Sequence, residues 1–254
     1  GVDESLRGTY LGACQKGTVN SHGDATAFDY IRQLGVNVVQ LQPISDRFKQ
    51  YDEEGQVTYN WGYDVQNYSA PETSFSTDPS NPEQTMKELK TMIRAYHEAG
   101  ISVVMDVVYN HIYSTEHGPF QNTVPDYYYR MEPDGRFQNG TGVGNETASE
   151  HEMYRKYMID SLTHWVKEYQ IDGFRFDLMG IHDVRTMNAI REAMDALDPR
   201  ILLYGEGWDM GTGLAPEDKA KKDNAAQLPR IGFFNDTERD AIKGAEVYGS
   251  IKRG

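Results

Sequence analysis

Polar side chains gather at a few points in this sequence where apolar runs end. They are Asp106, Asn110 and His111, then Arg175 and Asp177, then Glu206, then Asn235 and Asp236. Side chains alternate on an extended segment, so Arg175 and Asp177 share one face and Phe174 and Phe176 the other. A guanidinium beside a carboxylate favours the ionised form, which suits a nucleophile. Glu206 stands between Gly205 and Gly207, which admit close backbone approach, and near Tyr204 and Trp208. Apolar surfaces there would favour a protonated carboxyl, which suits a general acid. An attacking carboxylate and a proton-donating one are the pair that cleaves a bond between sugars. Strand-end Asp and Glu equally suit a metal-dependent barrel enzyme that holds Mg²⁺, and spacing does not separate the two readings. Taken alone, Arg175 and Asp177 are as well explained by a structural ion pair. A carboxylate after the next strand tips the balance toward chemistry.

These residues need parallel strands to bring them together. Five short apolar runs read as buried strands: 36–41, 101–108, 173–177, 201–204 and 231–234. Their near-continuous apolar character is that of parallel strands covered by helices. Between them lie helical patterns. Asn81 can cap a helix that has Pro82 at its first position and a stripe of Met86, Leu89, Met92, Ile93 and Tyr96, with Gly100 at its end. Ser149 and Glu152 have capping-box spacing ahead of a stripe from Tyr154 to Tyr169. Asp183 caps a third helix over about 184–197, stopped before Pro199, and a shorter one is expected over 25–34. The alternation predicts an α/β fold. Asp177 to Glu206 and Glu206 to Asn235 each span 29 residues, one plain βα unit of a (β/α)8 barrel, or TIM barrel. The two earlier intervals are longer, which predicts insertions at about 43–82 and about 112–148 and no second domain.

Composition narrows the partners. The 39 acidic and 25 basic residues give a net charge of −14, which repels phosphate backbones, so no nucleic acid partner is expected. No apolar run reaches the ~18 residues of a membrane span, so no membrane association is expected. The first residues lack the basic and apolar pattern of a signal peptide. Cys14 is the single cysteine, so no internal disulfide can form and the compartment stays open. Seventeen tyrosines against nine phenylalanines suit a surface that binds something partly apolar and rich in hydroxyls.

Three segments in order carry a resemblance: Asp106-Val107-Val108-Tyr109-Asn110-His111, Gly173-Phe174-Arg175-Phe176-Asp177 and Gly205-Glu206-Gly207-Trp208. They resemble signature regions of the α-amylase superfamily of glycoside hydrolases. Tyr59-Asn60-Trp61-Gly62-Tyr63-Asp64 resembles the hallmark of its type I pullulanase branch, with Val65 where that pattern usually has Pro. The resemblance runs from about Gly8 to Ala245. It implies a retaining hydrolase of α-1,6 branch links in pullulan and related α-glucans. Asp177 would be the nucleophile, Glu206 the general acid/base, and Arg175 would orient Asp177. His111 would bond sugar hydroxyls and Tyr63 would stack on the sugar ring. Asp106 and Asn110 would brace the loop; His182 and Trp208 would contact glucan beyond the cleaved bond, with Trp61 also on the substrate side. No cofactor is required, because acid, base and nucleophile are all side chains; Ca²⁺ has room in the scheme, since amylase-like barrels often bind it, but its ligands are not legible.

Rivals within the superfamily are an isoamylase or a glycogen-branching transferase; outside it, a non-catalytic glucan-binding module. By the family pattern the five strands are strands two to six of an incomplete barrel, and the third catalytic Asp lies outside this chain. The isolated chain is therefore expected to hydrolyse pullulan weakly or not at all. His22, His97, His151 and His164 read as surface or helix residues, and 217–223 as a solvated helix face.

Overall fold

The computed structural model describes residues 1–244. Five strands form one parallel sheet: β1 (Val38–Leu41), β4 (Ser102–Val107), β5 (Gly173–Phe176), β6 (Leu202–Gly205) and β7 (Gly232–Phe233), adjacent in that order. Val104 pairs with Gly173, Gly173 with Leu202 and Tyr204 with Gly232, so the strand ends are nearly level. Sequential parallel strands joined by helices make this sheet part of a (β/α)8 barrel. Four of the strands are shorter than their apolar runs, and β6 is shifted by one residue. Ile101, Val108, Ile201 and Ile231 lie outside the ladder yet are buried, because they continue the core past the last paired residue.

Three long helices cover the outer face: α3 (Pro82–Glu98), α5 (Glu152–Tyr169) and α6 (Val184–Leu197). Asn81 accepts from the Gln84 amide and Asp183 from that of Thr186, as their positions predict. Ser149 does not cap α5. His151 takes that place without a side-chain bond, while the Ser149 hydroxyl donates to Asp183 Oδ2 and accepts from the Asp183 amide. Ser149 therefore ties the start of α5 to the start of α6. Shorter helices are α1 (Tyr10–Ala13), α2 (Ala27–Gln33), α4 (Pro119–Thr123) and α7 (Asp236–Lys243). Among the described residues no helix is long and apolar enough to cross a membrane.

The first insertion is not merely a loop. It contains an antiparallel ribbon, β2 (Ser45–Arg47) with β3 (Val65–Pro71), broken by two register shifts. Glu72 is fully buried and receives Arg47 at 3.7 Å and Lys49 at 3.2 Å, so charge pairing ties the two arms of the ribbon to each other. The segment 217–223 is likewise not a solvated helix face: a 3-10 helix begins only at Lys222, and Lys219 is buried and donates to Asp209 and to the Met210 carbonyl.

Seven of the tyrosines lie in the interior. Tyr10, Tyr68, Tyr96, Tyr109, Tyr129, Tyr154 and Tyr169 are all buried. Their rings pack: Tyr68 stacks on Tyr109 at 5.2 Å, and Phe120 meets Tyr154 edge-on at 5.7 Å. Four hydroxyls donate to backbone carbonyls far along the chain: Tyr10 to Glu72, Tyr68 to His111, Tyr96 to Ala13 and Tyr154 to Tyr109. These four tyrosines pin distant segments to the core. Replacing Tyr68 by Phe leaves the His111 carbonyl unpaired in the interior. We expect a loss of about 1–3 kcal/mol in denaturant unfolding, and an unchanged midpoint would reject this account.

Candidate active site

One guanidinium organises the open ends of β4, β5 and β6. Phe174 and Phe176 pack wholly buried under the helices, which turns Arg175 inward. Arg175 Nη1 donates to Asp106 Oδ1 at 2.9 Å and to Asp177 Oδ1 at 2.8 Å; Nη2 lies 2.7 Å from Glu206 Oε1. Its Cζ also lies 6.0 Å from the Tyr63 ring centre and 5.6 Å from that of Phe234. Burial works against a cation, but Asp106 and Glu206 outweigh it and hold Arg175 charged more firmly than in water.

The three carboxylates differ in setting. Asp106 is 1% exposed, and burial pushes its pKa up to about 7, although Arg175 and the Tyr63 hydroxyl at 2.9 Å oppose the rise. Asp177 is partly open, with Asn110 Nδ2 donating to its Oδ2 at 3.0 Å and to its carbonyl at 2.8 Å. Glu206 retains one fifth of its side-chain exposure, and its Oε2 accepts from the Leu178 amide at 3.0 Å. Leu178 has φ 41° and ψ 49°, the left-handed region, which costs a bulky residue roughly 1–3 kcal/mol. The glycines beside Glu206 are sterically required. A Cβ on Gly205 would meet the Phe176 carbonyl at 2.6 Å, and one on Gly207 the Phe233 ring at 2.3 Å.

The remaining expected residues divide. Tyr63 joins the cluster through Asp106 and is half-buried. Gly62 before it has φ 100° and sits against the Pro43 carbonyl, which turns the chain inward. His111 is 6% exposed, with Nδ1 2.5 Å from Asn110 Oδ1. Burial lowers its pKa to about 4, so it is neutral near pH 7. Trp208 is half-buried on the loop after β6. Trp61 is 65% exposed and rims an apolar cavity of about 510 Å³ with Tyr59, Leu41 and Pro43. His182 departs from expectation. It is 0% exposed, with neither ring nitrogen hydrogen-bonded, and burial lowers its pKa to about 3. A side chain so enclosed has no surface to offer glucan, and its place is in the packing beside Phe176. Glu206 also departs from the apolar setting expected of it, since Arg175 holds it directly.

Sequence reasoning missed Phe234 under Arg175, the Tyr204 hydroxyl on Gln40 at 2.5 Å, and a second buried arginine, Arg130. Phe234 belongs to the apolar run 231–234, which signals a strand but not a cation's neighbour. Among the described residues no group of three or more His, Cys, Asp or Glu is arranged to hold a metal ion.

Parallel strands of a partial barrel thus share one carboxylate–guanidinium cluster at their ends. The family model described as alpha amylase, catalytic domain, matches residues 15–146, just over half of the sequence. The chain belongs to the alpha-amylase family. It is 45% identical over 239 residues to a pullulanase of Bacillus subtilis (strain 168), covering 94% of this chain and 33% of that protein. The crystal structure of a pullulanase from Anoxybacillus sp. LM18-11 complexed with maltotetraose superposes with a TM-score of 0.92 at 49% identity, covering 96% of this chain and 36% of that one. A pullulanase from Paenibacillus barengoltzii, in complex with maltohexaose and alpha-cyclodextrin, gives 0.88 at 50% identity, covering 94% and 38%. The chain thus spans about a third of the length of the relatives it matches.

The raised pKa of Asp106 has a signed consequence. The folded state holds this proton more tightly than the unfolded chain, so the stability it contributes is complete below about pH 4 and is lost as pH rises through about 7. Wild type should therefore lose stability relative to Asp106→Asn across that window. Parallel unfolding curves of the two proteins from pH 4 to 8 would contradict the assignment.

Proposed function

We propose that this chain carries the nucleophile and the acid/base of a retaining glycoside hydrolase that cuts α-1,6 links in pullulan and related α-glucans, on a partial catalytic barrel spanning residues 1–254. The observation that carries this reading is Arg175 bridging Asp177 and Glu206 from the ends of consecutive parallel strands. The pullulanase names of the relatives and the malto-oligosaccharides bound to their structures support the substrate class.

In this reading Asp177 attacks the anomeric carbon as the glycosidic bond breaks, giving a glycosyl ester on its carboxylate. Arg175 and Asn110 fix both of its oxygens, so little reorganisation is needed as its charge is consumed. Glu206 hands a proton to the leaving oxygen, then takes one from the water that hydrolyses the ester. Glu206 Oε2 accepts a hydrogen bond and Oε1 is ion-paired with Arg175, so the acid role requires one of them to leave its partner and carry a proton. Tyr63, Trp208 and Trp61 offer aromatic faces to sugar rings, and neutral His111 can exchange a hydrogen bond with a hydroxyl without a charge change. No step calls for an organic cofactor.

The test uses the intact protein containing residues 1–254. Asp177→Asn and Glu206→Gln should each abolish maltotriose release from pullulan, a loss of at least about 10³-fold, with unfolding midpoints near wild type. Substantial release by either variant would sink the roles. Cleavage of glycogen or amylose in preference to pullulan would keep the chemistry and shift the substrate.

A further inference from the structure

Outside the Arg175 cluster, the most heavily bonded buried cation is Arg130, in the second insertion. It is 6% exposed, and its partner Glu146 is 0% exposed. Arg130 Nη1 meets three oxygens from three loops: Glu146 Oε1 at 3.1 Å, the Ile181 carbonyl at 2.9 Å and Thr212 Oγ1 at 2.6 Å. Its other face makes a paired contact with Glu150, Nη2 to Oε2 at 2.7 Å and Nε to Oε1 at 3.0 Å. Thr212 in turn donates to Glu146 Oε1 at 2.6 Å, and the Gly140 amide donates to Glu146 Oε2 at 2.5 Å.

The three loops are those following β4, β5 and β6. Glu146 closes the loop that starts with Asn110 and His111, Ile181 follows Asp177, and Thr212 follows Glu206 and Trp208. The same strands that meet at Arg175 are therefore joined again, one layer out, by a second guanidinium. A carboxylate, a carbonyl and a hydroxyl oxygen are donor types a hard divalent ion would take. Here a side chain of the chain itself takes them.

We propose that Arg130 is a positioning residue: the protein's own cation in the place of a bound metal ion, fixing the glucan-facing loops around Asp177 and Glu206. A fixed cation of this kind needs no supply from solution and does not leave when free Ca²⁺ is low. Its effect on turnover rests on the glycosidase reading, whereas its effect on the loops does not.

The experiment compares wild type, Arg130→Met and Arg130→Lys in the intact protein. Arg130→Met strands Glu146 in the interior. Tm should fall by roughly 10 °C, and limited proteolysis should cut within 130–147. At a temperature well below that Tm, kcat/KM on pullulan should still be down about 10-fold or more, and Arg130→Lys should recover most of it. Added Ca²⁺ should raise the Tm of Arg130→Met, whose oxygens are left without a cation, and not that of wild type. If Arg130→Met matches wild type in Tm and protease resistance, the proposal fails. It fails as a positioning role if kcat/KM is unchanged below Tm. If Arg130→Met does not fold, Arg130→Lys decides: it must keep the loops protected, and a cut within 130–147 in that variant overturns the proposal. An inactive wild type would sink the glycosidase reading alone, since the proteolysis and Ca²⁺ results would stand.

Discussion

The whole arrangement depends on a single charge that the interior can tolerate only because it is fully bonded. A lone guanidinium at the position of Arg175 would be prohibitively costly to desolvate. Asp106, Asp177 and Glu206 make it affordable, and it in turn lets three carboxylates converge from three strands without repelling one another apart. The parallel register serves this interaction. Asp106 is paired directly with Arg175 across β4 and β5, and Gly205 lets the end of β6 approach Phe176 closely enough to deliver Glu206. Burial then separates the carboxylates. Asp106, sealed below, tends toward the neutral form, while Asp177 and Glu206 keep access to the open side.

Around that centre the fold uses polar groups as fasteners. Tyrosine hydroxyls reach backbone carbonyls 43 to 83 residues distant, Glu72 holds two cations of the β2 arm, and Ser149 links two helix starts. Such contacts contribute modestly when made and cost more when broken. They give long loops the fixed shape that a binding site on loops needs.

The sheet was legible in the sequence because each parallel strand lies in a short, near-continuous apolar run, and two plain units repeat at 29 residues. Asp106, Arg175, Asp177 and Glu206 were legible as a group because alternation and strand ends place them on one face. The ribbon was not legible. Ser45–Arg47 has no apolar alternation, and what holds it is a buried charge pair with Glu72, 25 residues away from Arg47. His182 was placed on the glucan side by the family resemblance alone, while only packing reveals that its side chain is enclosed. Arg130 was silent because a loop arginine usually faces water, and nothing local marks one whose partners come from residues 146, 181 and 212.

Leu178 carries a consequence for the evolution of such sites. Its left-handed backbone aims an amide at Glu206, and a glycine there would adopt the same angles without strain. Glycine would also give the turn freedom to adopt others. The bulky residue trades comfort for certainty, so a search for the most stable variants of this protein would drift toward relaxing position 178 and would erode the alignment between neighbouring carboxylates as it did so.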